Sequence, residues 1–380
     1  MKFRTRAIHI GNERDPQTGA VVPPIHVAST FVQHHAGEWR EFDYSRSGNP
    51  TRKRLEQTIA SLESGSSALA FSSGMAAAHC VTMLLKSGDQ IVAGSDIYGG
   101  TYRLLHNIVN NVDIDVSLFP SHDLEAMEQA ITERTRLIWL ESPGNPLMSI
   151  TDLSAAAALA KKHQLLTVVD NTFATPVLTR PLELGIDIVM HSATKYLGGH
   201  SDALGGALVV RDPELFERLY FIQNATGATL GSFDAFLIAR GLKTLDLRVR
   251  EQSRSAEKLA NHLARDRRVR RVLYPGLVDH PGHEIANRQM DGAFGAMLSF
   301  EVDGDFEKTK RVVETTQLFQ LAVSLGAVES LIEQPASMSH ASYDKRDREA
   351  HGITDELIRI SVGLEDVSDL QADLSQALDA

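Results

Sequence analysis

Apolar residues along this chain follow two periods. Short runs recur between residues 68 and 210: Ala68 to Phe71, Gln90 to Ala93, Ile114 to Leu118, Leu137 to Leu140, Leu165 to Val169, Ile186 to Met190 and Gly206 to Val210. They are too short for helices and lack strict polar alternation, so they read as strands buried on both faces. Between them the spacing turns helical. Ala77, Val81, Leu84 and Leu85 share one face behind an N-cap at Ser73; a helix starts near Tyr102; Leu124, Met127 and Ile131 line another; and the Ala-rich stretch Leu153 to Lys162 can be capped by Thr151. Seven strands separated mostly by helices predict a largely parallel sheet covered on both sides, an α/β fold.

The flanks differ. Residues 1–50 are interrupted by Pro16, Gly19, Pro23, Pro24, Gly37 and Gly48 and read as an arm that packs on something else, with Pro50 and Thr51 starting a helix. Residues 51–245 make the large α/β domain. Beyond a helical connection from Asp234 to Ala264, strands are expected at Arg271 to Tyr274, Ala296 to Phe300, Leu321 to Val323 and Leu357 to Val362. A last helix has Val367, Leu370, Leu374 and Leu378 on one side. Residues 246–380 are expected to form a smaller α+β domain.

At 380 residues the chain exceeds what one core usually organises, and 43% hydrophobic with 23% charged residues is ordinary for a globular protein. A net charge of -11 argues against a nucleic-acid partner, with the basic run Arg265 to Arg271 read as a solvated element end. No apolar stretch is long enough to span a bilayer. Cys80 is the single cysteine, which suits a reducing compartment, and Ala7 to Ile10 is too short for a signal segment, so the cytoplasm is the expected location. His280 and His283 have ligand-like spacing but sit in a Pro-Gly loop without a third ligand, so they read as surface histidines and no metal is expected.

Polar residues cluster where the strands end, and ligands of open α/β sheets bind at carboxyl ends of strands. Ser72, Ser73 and Gly74 follow the first strand, Tyr98 the second, Asn145 the fourth, Asp170 the fifth, and Ser192, Thr194 and Lys195 the sixth. The Ser-Gly turn opening a helix suits a phosphate, yet no Gly-Lys pair and no Gly-x-Gly-x-x-Gly occurs to make that phosphate a nucleotide's. Asp170 ends an apolar strand and either serves a cationic partner or caps Asn171 or Thr172. A strand-end lysine, a strand-end acid and a phosphate-holding helix start together match the needs of pyridoxal 5'-phosphate: a Schiff-base lysine, a partner for the pyridinium nitrogen and anion donors.

The motifs Tyr44-Ser45-Arg46-Ser47-Gly48-Asn49-Pro50, Ser73-Gly74-Met75, Tyr98-Gly99-Gly100, Val169-Asp170-Asn171-Thr172, Ser192-Ala193-Thr194-Lys195-Tyr196 and Arg359-Ile360-Ser361-Val362-Gly363 resemble the Cys/Met-metabolism family of pyridoxal-phosphate enzymes almost end to end. The resemblance implies the type I, aspartate-aminotransferase-like transferase fold. It implies that Lys195 carries the cofactor, Asp170 pairs with the ring nitrogen, and Tyr98 stacks on the ring and joins proton transfer. Gly74, Met75, Ser192 and Thr194 would hold the phosphate. Tyr44 and Arg46 would reach the phosphate of a neighbouring subunit, in a homotetramer built as a dimer of dimers with intersubunit sites.

Arg359 alternates with Ile358 and Ile360, so its side chain leaves the core face. Pattern alone allows a solvated sheet face; the resemblance makes Arg359 the substrate-carboxylate binder, assisted by Asn145 and Ser324. The expected activity is that of a cystathionine γ-lyase, with some β-lyase activity. The alternatives are γ-synthase or sulfhydrylase and, more remotely, an aminotransferase or a non-catalytic cofactor-binding protein. Glu329 and Asp43 are expected to meet the substrate's distal amine, while Gly100 stands where methionine γ-lyases typically carry Cys.

Overall fold

The seven apolar runs become seven strands of one sheet. The computed structural model describes residues 1–38, 40–341 and 345–380. Strands β1 (Ser67–Phe71), β2 (Gln90–Gly94), β3 (Asp115–Phe119), β4 (Thr135–Glu141), β5 (Leu166–Asp170), β6 (Ile188–Ser192) and β7 (Gly206–Val210) lie in the order β1-β7-β6-β5-β4-β2-β3. All neighbours pair in parallel except β7, which is antiparallel to both β1 and β6. The reason is local. No helix separates β6 from β7, and a parallel return needs a crossover, so the chain doubles back. The base of that loop is closed by the Thr194 N–H donating to the Gly205 carbonyl at 3.2 Å and the Gly205 N–H donating to the Thr194 hydroxyl at 3.0 Å. Lys195 rides on the same loop.

Alternate residues of β6 feed different cores. Ile188 and Met190 pack with Val81 and Leu105 on one face, whereas Val189 joins Val249, Leu259, Phe300 and Ile360 on the other. The second face is therefore shared with the carboxyl-terminal part of the chain. The long helix Leu245–Leu263 bridges the two, with Leu245, Val249, Ala256, Leu259 and Leu263 all buried along one side. Each of the buried leucines and Val249 contributes about 1.5–3 kcal/mol on burial.

The smaller sheet has the order β10-β11-β12-β9-β8, from β8 (Val269–Leu273), β9 (Met297–Val302), β10 (Gln320–Leu321), β11 (Leu331–Glu333) and β12 (Leu357–Ser361). Strand β11 is absent from the sequence reading because three residues are too few to show a period. The expected strand Leu321 to Val323 contracts to Gln320–Leu321. Across β11, β12 and β9, Glu333, Arg359 and Ser299 stand in one register row. That row faces the large domain, where the Ser299 hydroxyl donates to the Pro146 carbonyl at 2.7 Å.

Three local expectations change. Asp152, not Thr151, caps the helix Leu153–Lys162, because the Thr151 hydroxyl is spent on the Ser121 carbonyl at 2.6 Å. The helix expected near Tyr102 begins at Gly99, directly behind Tyr98. His280 is buried rather than a surface histidine: its ring accepts from the Gly282 N–H at 3.0 Å, and burial pulls its pKa down to about 4. In the arm, the helix Phe3–His9 and an isolated bridge between Thr30 and Tyr44 are regular. Among the described residues no helix is long and apolar enough to cross a membrane.

Candidate functional site

The ends of β1, β4, β5 and β6 and the segments around β11 and β12 enclose one cleft of about 410 Å³. Ten of the residues that the resemblance assigns to the site line it: Gly74, Met75, Tyr98, Asn145, Asp170, Ser192, Thr194, Lys195, Ser324 and Arg359. Residues up to 285 positions apart in sequence thus meet at one place, as Gly74 and Arg359 do.

Lys195 donates from Nζ to the Ser324 hydroxyl at 2.5 Å. Burial and the Arg359 guanidinium lower its pKa to about 8, against the opposing pull of Glu333 and Asp170. A larger neutral fraction near neutrality is what a lysine needs to act as nucleophile or base. Ser324 holds a left-handed backbone with φ 94°, unusual for a residue with a side chain. From that conformation its hydroxyl meets Lys195 while its carbonyl accepts from Arg359 Nη2 at 3.0 Å. One strained residue thus joins the Lys195 amine to the Arg359 guanidinium.

Arg359 is buried, so the solvated-face alternative does not hold. Its Nη1 donates to Asn145 Oδ1 at 2.9 Å, and its Nη2 lies 3.1 Å from Glu333 Oε1. Asn145 is placed by a loop folded around Asp96, whose carboxylate accepts from the Leu147 and Ser149 N–H groups and from the Ser149 hydroxyl.

Asp170 caps Thr172, one of the two roles its sequence context allowed. It accepts from the Thr172 N–H at 3.0 Å and from the Thr172 hydroxyl, and it also lines the cleft. Burial raises its pKa, opposed by these hydrogen bonds and by His191 and Lys195. A cation at the cleft floor would restore it as an anion.

Ser73 caps the helix Gly74–Thr82 by accepting from the Ala76 N–H at 3.1 Å, which leaves the Gly74 and Met75 N–H groups without acceptors inside the helix. A Cβ on Gly74 would stand 3.0 Å from the Ser192 Cβ and 3.2 Å from its Oγ, so glycine keeps the backbone against the Ser192 hydroxyl. This cradle, the acid at the strand end and the perturbed lysine in the same cleft fit pyridoxal phosphate: the helix start would hold its anion, Asp170 would pair with a protonated ring nitrogen and Lys195 would take its aldehyde.

Four expected residues are not among those lining the cleft: Asp43, Tyr44, Arg46 and Glu329. Asp43 borders a different cavity beside the helix Pro50–Leu62. Arg46 donates to the Asn224 carbonyl at 2.6 Å and sits 5.5 Å from the Tyr44 ring centre. Sequence reasoning in turn missed Glu333, Glu141 and Arg103, all lining the cleft. Glu141 ends the apolar run Leu137 to Leu140, the signal that pointed to Asp170, whereas Glu333 ends a strand of only three residues.

The Cys/Met metabolism PLP-dependent enzyme family matches residues 4–379. The chain is 49% identical over 376 residues to cystathionine beta-lyase of Coxiella burnetii, across 98% of this chain and 97% of the relative. It is 50% identical over 376 residues to cystathionine gamma-synthase of Mycobacterium leprae, across 98% and 96%. A solved structure of cystathionine gamma-lyase from Lactobacillus plantarum, complexed with L-serine, matches with a TM-score of 0.96 and 46% identity, over 100% of this chain and 99% of that one. The fold is therefore that of the pyridoxal-phosphate-dependent transferases. Overall identity does not choose among the three named activities, because they lie within a few per cent of one another.

Proposed function

Because the chain belongs to the Cys/Met-metabolism family of pyridoxal-phosphate-dependent enzymes, we propose that it cleaves cystathionine by γ-elimination, releasing cysteine, 2-oxobutanoate and ammonia. The observation that carries this reading is Lys195, held at Ser324 between Asp170 and the Arg359–Asn145 pair, with a pKa of about 8. Bound pyridoxal phosphate supplies an aldehyde for the substrate amine and a ring that accepts the electrons of the broken C–H bond. Arg359 takes the α-carboxylate and so fixes which substrate hydrogen faces Lys195. Asp170 keeps a proton on the ring nitrogen. Lys195 Nζ, on a flexible stem, would accept the Cα proton, hand it to the cofactor's former aldehyde carbon, and then, neutral again, accept a Cβ proton that it can pass to the departing γ-sulfur; water then releases the remaining four-carbon fragment as 2-oxobutanoate and ammonia. Tyr98, which lines the same cleft, would stack on the ring.

The distal ammonium of cystathionine needs an acid. We assign it to Asp43 of a neighbouring copy, in a homotetramer whose arms reach across to adjacent sites and bring Tyr44 and Arg46 to the partner's phosphate. Val21, Val27 and Val32 in the arm are each more than four-fifths exposed, which supports an arm that packs on another chain. Mixing Lys195→Ala chains with Arg46→Ala chains tests this: shared sites regain activity in the hybrid, and separate sites do not.

A second reading, γ-synthase acting on an O-acylhomoserine, is favoured by the exposed apolar Val323 and Leu204 in the cleft wall and by Glu329 standing outside the cleft. The deciding experiment incubates the cofactor-loaded enzyme with cystathionine and, separately, with O-acetyl- or O-succinylhomoserine plus cysteine, and identifies the products. Cysteine with 2-oxobutanoate supports γ-elimination. Homocysteine with pyruvate makes the enzyme a β-lyase, and dominant cystathionine formation makes it a synthase.

A further inference from the structure

Arg359 does not wait for a substrate carboxylate as a bare cation. Glu333 faces it in register across β11 and β12, with Oε1 3.1 Å from Nη2, and both side chains are buried. The Ser339 hydroxyl donates to the same Glu333 oxygen at 2.7 Å and fixes the carboxylate's orientation. The other oxygen, Oε2, is buried and has no hydrogen-bond partner among the described residues. A carboxylate in that state is costly unless something else in the working site uses it.

We propose that Glu333 is a selectivity charge for the reaction: paired with Arg359 at the cleft wall, it disfavours carboxylates that arrive without an ammonium group, so that amino acids are held and 2-oxo acids are released. The proposal rests on the reading of Arg359 as the α-carboxylate binder. An incoming carboxylate at Arg359 meets a like charge already on the same guanidinium, and buried like charges repel strongly. An amino acid brings an ammonium that offsets this repulsion, and the keto acid formed by elimination does not. The field of Glu333 reaches the place where amines react, since it is one of the two acids that act on Lys195. Glu333 therefore opposes rebinding of a 2-oxo acid product while tolerating the zwitterionic substrate. Were it only a spacer that orients Arg359, its charge would be immaterial.

Glu333→Gln separates charge from orientation, because the amide oxygen still accepts from Ser339 and Arg359. On the cofactor-loaded enzyme, calorimetry with butanoate as the ammonium-free probe is expected to show Glu333→Gln binding roughly fivefold or more tighter than wild type. Affinity for 2-aminobutanoate, read from the cofactor absorbance, is expected to be unchanged or weaker. Glu333→Asp, which restores the charge, should bring butanoate affinity back toward wild type. The proposal is overturned if Glu333→Gln binds butanoate no tighter, or if both ligands tighten equally. If Arg359→Gln binds butanoate as well as wild type, the assignment of Arg359 itself fails, a result distinguishable from failure of the Glu333 proposal alone.

Discussion

Glu141 and Asp170 stand opposite each other in register across β4 and β5, two buried carboxyls lining one cleft. Register partners on adjacent strands share a face, so the two acids are near neighbours. Both are pushed upward. Burial is the larger cause for each, and the Asp170 charge adds to it at Glu141, which lies well above the ordinary carboxylate range. Glu141 Oε2 also accepts from the Tyr98 N–H at 2.8 Å, tying the cofactor-stacking candidate to the acid pair.

Replacing Glu141 by Gln keeps an acceptor for that N–H and removes one titrating acid. A carboxyl whose folded pKa exceeds its unfolded value stabilises the fold fully below the unfolded value, and that contribution is lost as pH rises through the folded one. This contribution to the thermal stability of the cofactor-free wild type should therefore fall as pH climbs above the ordinary carboxylate range, and Glu141→Gln should show a shallower loss. Melting midpoints across that climb check it; parallel curves for the two proteins would refute it.

Lys195 gives a second titration, shifted the opposite way by the same burial. Burial, with Arg359 adding to it, lowers its pKa to about 8, so removing Arg359 must raise it. In cofactor-free protein, the pH dependence of Lys195 alkylation, followed by mass spectrometry, should have its midpoint near about 8 and move upward in Arg359→Gln. In the loaded enzyme, Lys195→Ala should lose at least roughly a thousandfold in turnover, since nucleophile and base go together. An unmoved alkylation midpoint would contradict the coupling.

The parts of this site that were legible in the sequence are those written locally. Ser73-Gly74 declares a helix start, Val168-Val169-Asp170 ends a buried strand on a charge, and Lys195 follows Ile186 to Met190 at a strand end. Glu333 escaped because β11 is three residues long and takes its meaning from the strand beside it, where Arg359 stands. The antiparallel turn of β7 was likewise hidden in a missing helix. Glu329 looked like a substrate acid from its motif, but a motif fixes identity, whereas the cleft is defined by which faces of β11 and β12 meet the large domain. His280 shows the same limit: a Pro-Gly loop reads as surface, yet this one folds its histidine inward.

Asp96 makes a third prediction through Asn145. Its carboxylate holds Leu147 and Ser149, and burial raises its pKa against those hydrogen bonds. Asp96→Ala leaves two backbone N–H groups without acceptors, at a cost of about 1–3 kcal/mol for each that stays dry. The loop then no longer presents Asn145 to Arg359, so KM should rise more than kcat falls. Asp96→Asn, which keeps acceptor oxygen, should fall between wild type and Asp96→Ala in both stability and KM. Steady-state kinetics and thermal melts on the pair decide, and a fall in kcat with constant KM would remove Asp96 from substrate placement.

Gly100 controls where the Tyr98 ring can lie. A Cβ at residue 100 would come within 2.3 Å of Tyr98 Cε1 and 3.0 Å of both Tyr98 Cδ1 and Met75 Sδ. The Met75 thioether can yield, but a distance of 2.3 Å to an aromatic carbon forces the ring itself to move. Tyr98 is 41% exposed, so it has room to swing away from the cleft without disturbing the core. Gly100→Ala should therefore melt close to wild type while losing roughly tenfold in turnover, a loss of positioning rather than of the fold. In a Tyr98→Ala background the clash has nothing left to displace, so adding Gly100→Ala should cost little more, and the double-mutant cycle should show strong coupling. Independent, additive losses would mean that Gly100 acts on the cleft by some route other than the ring.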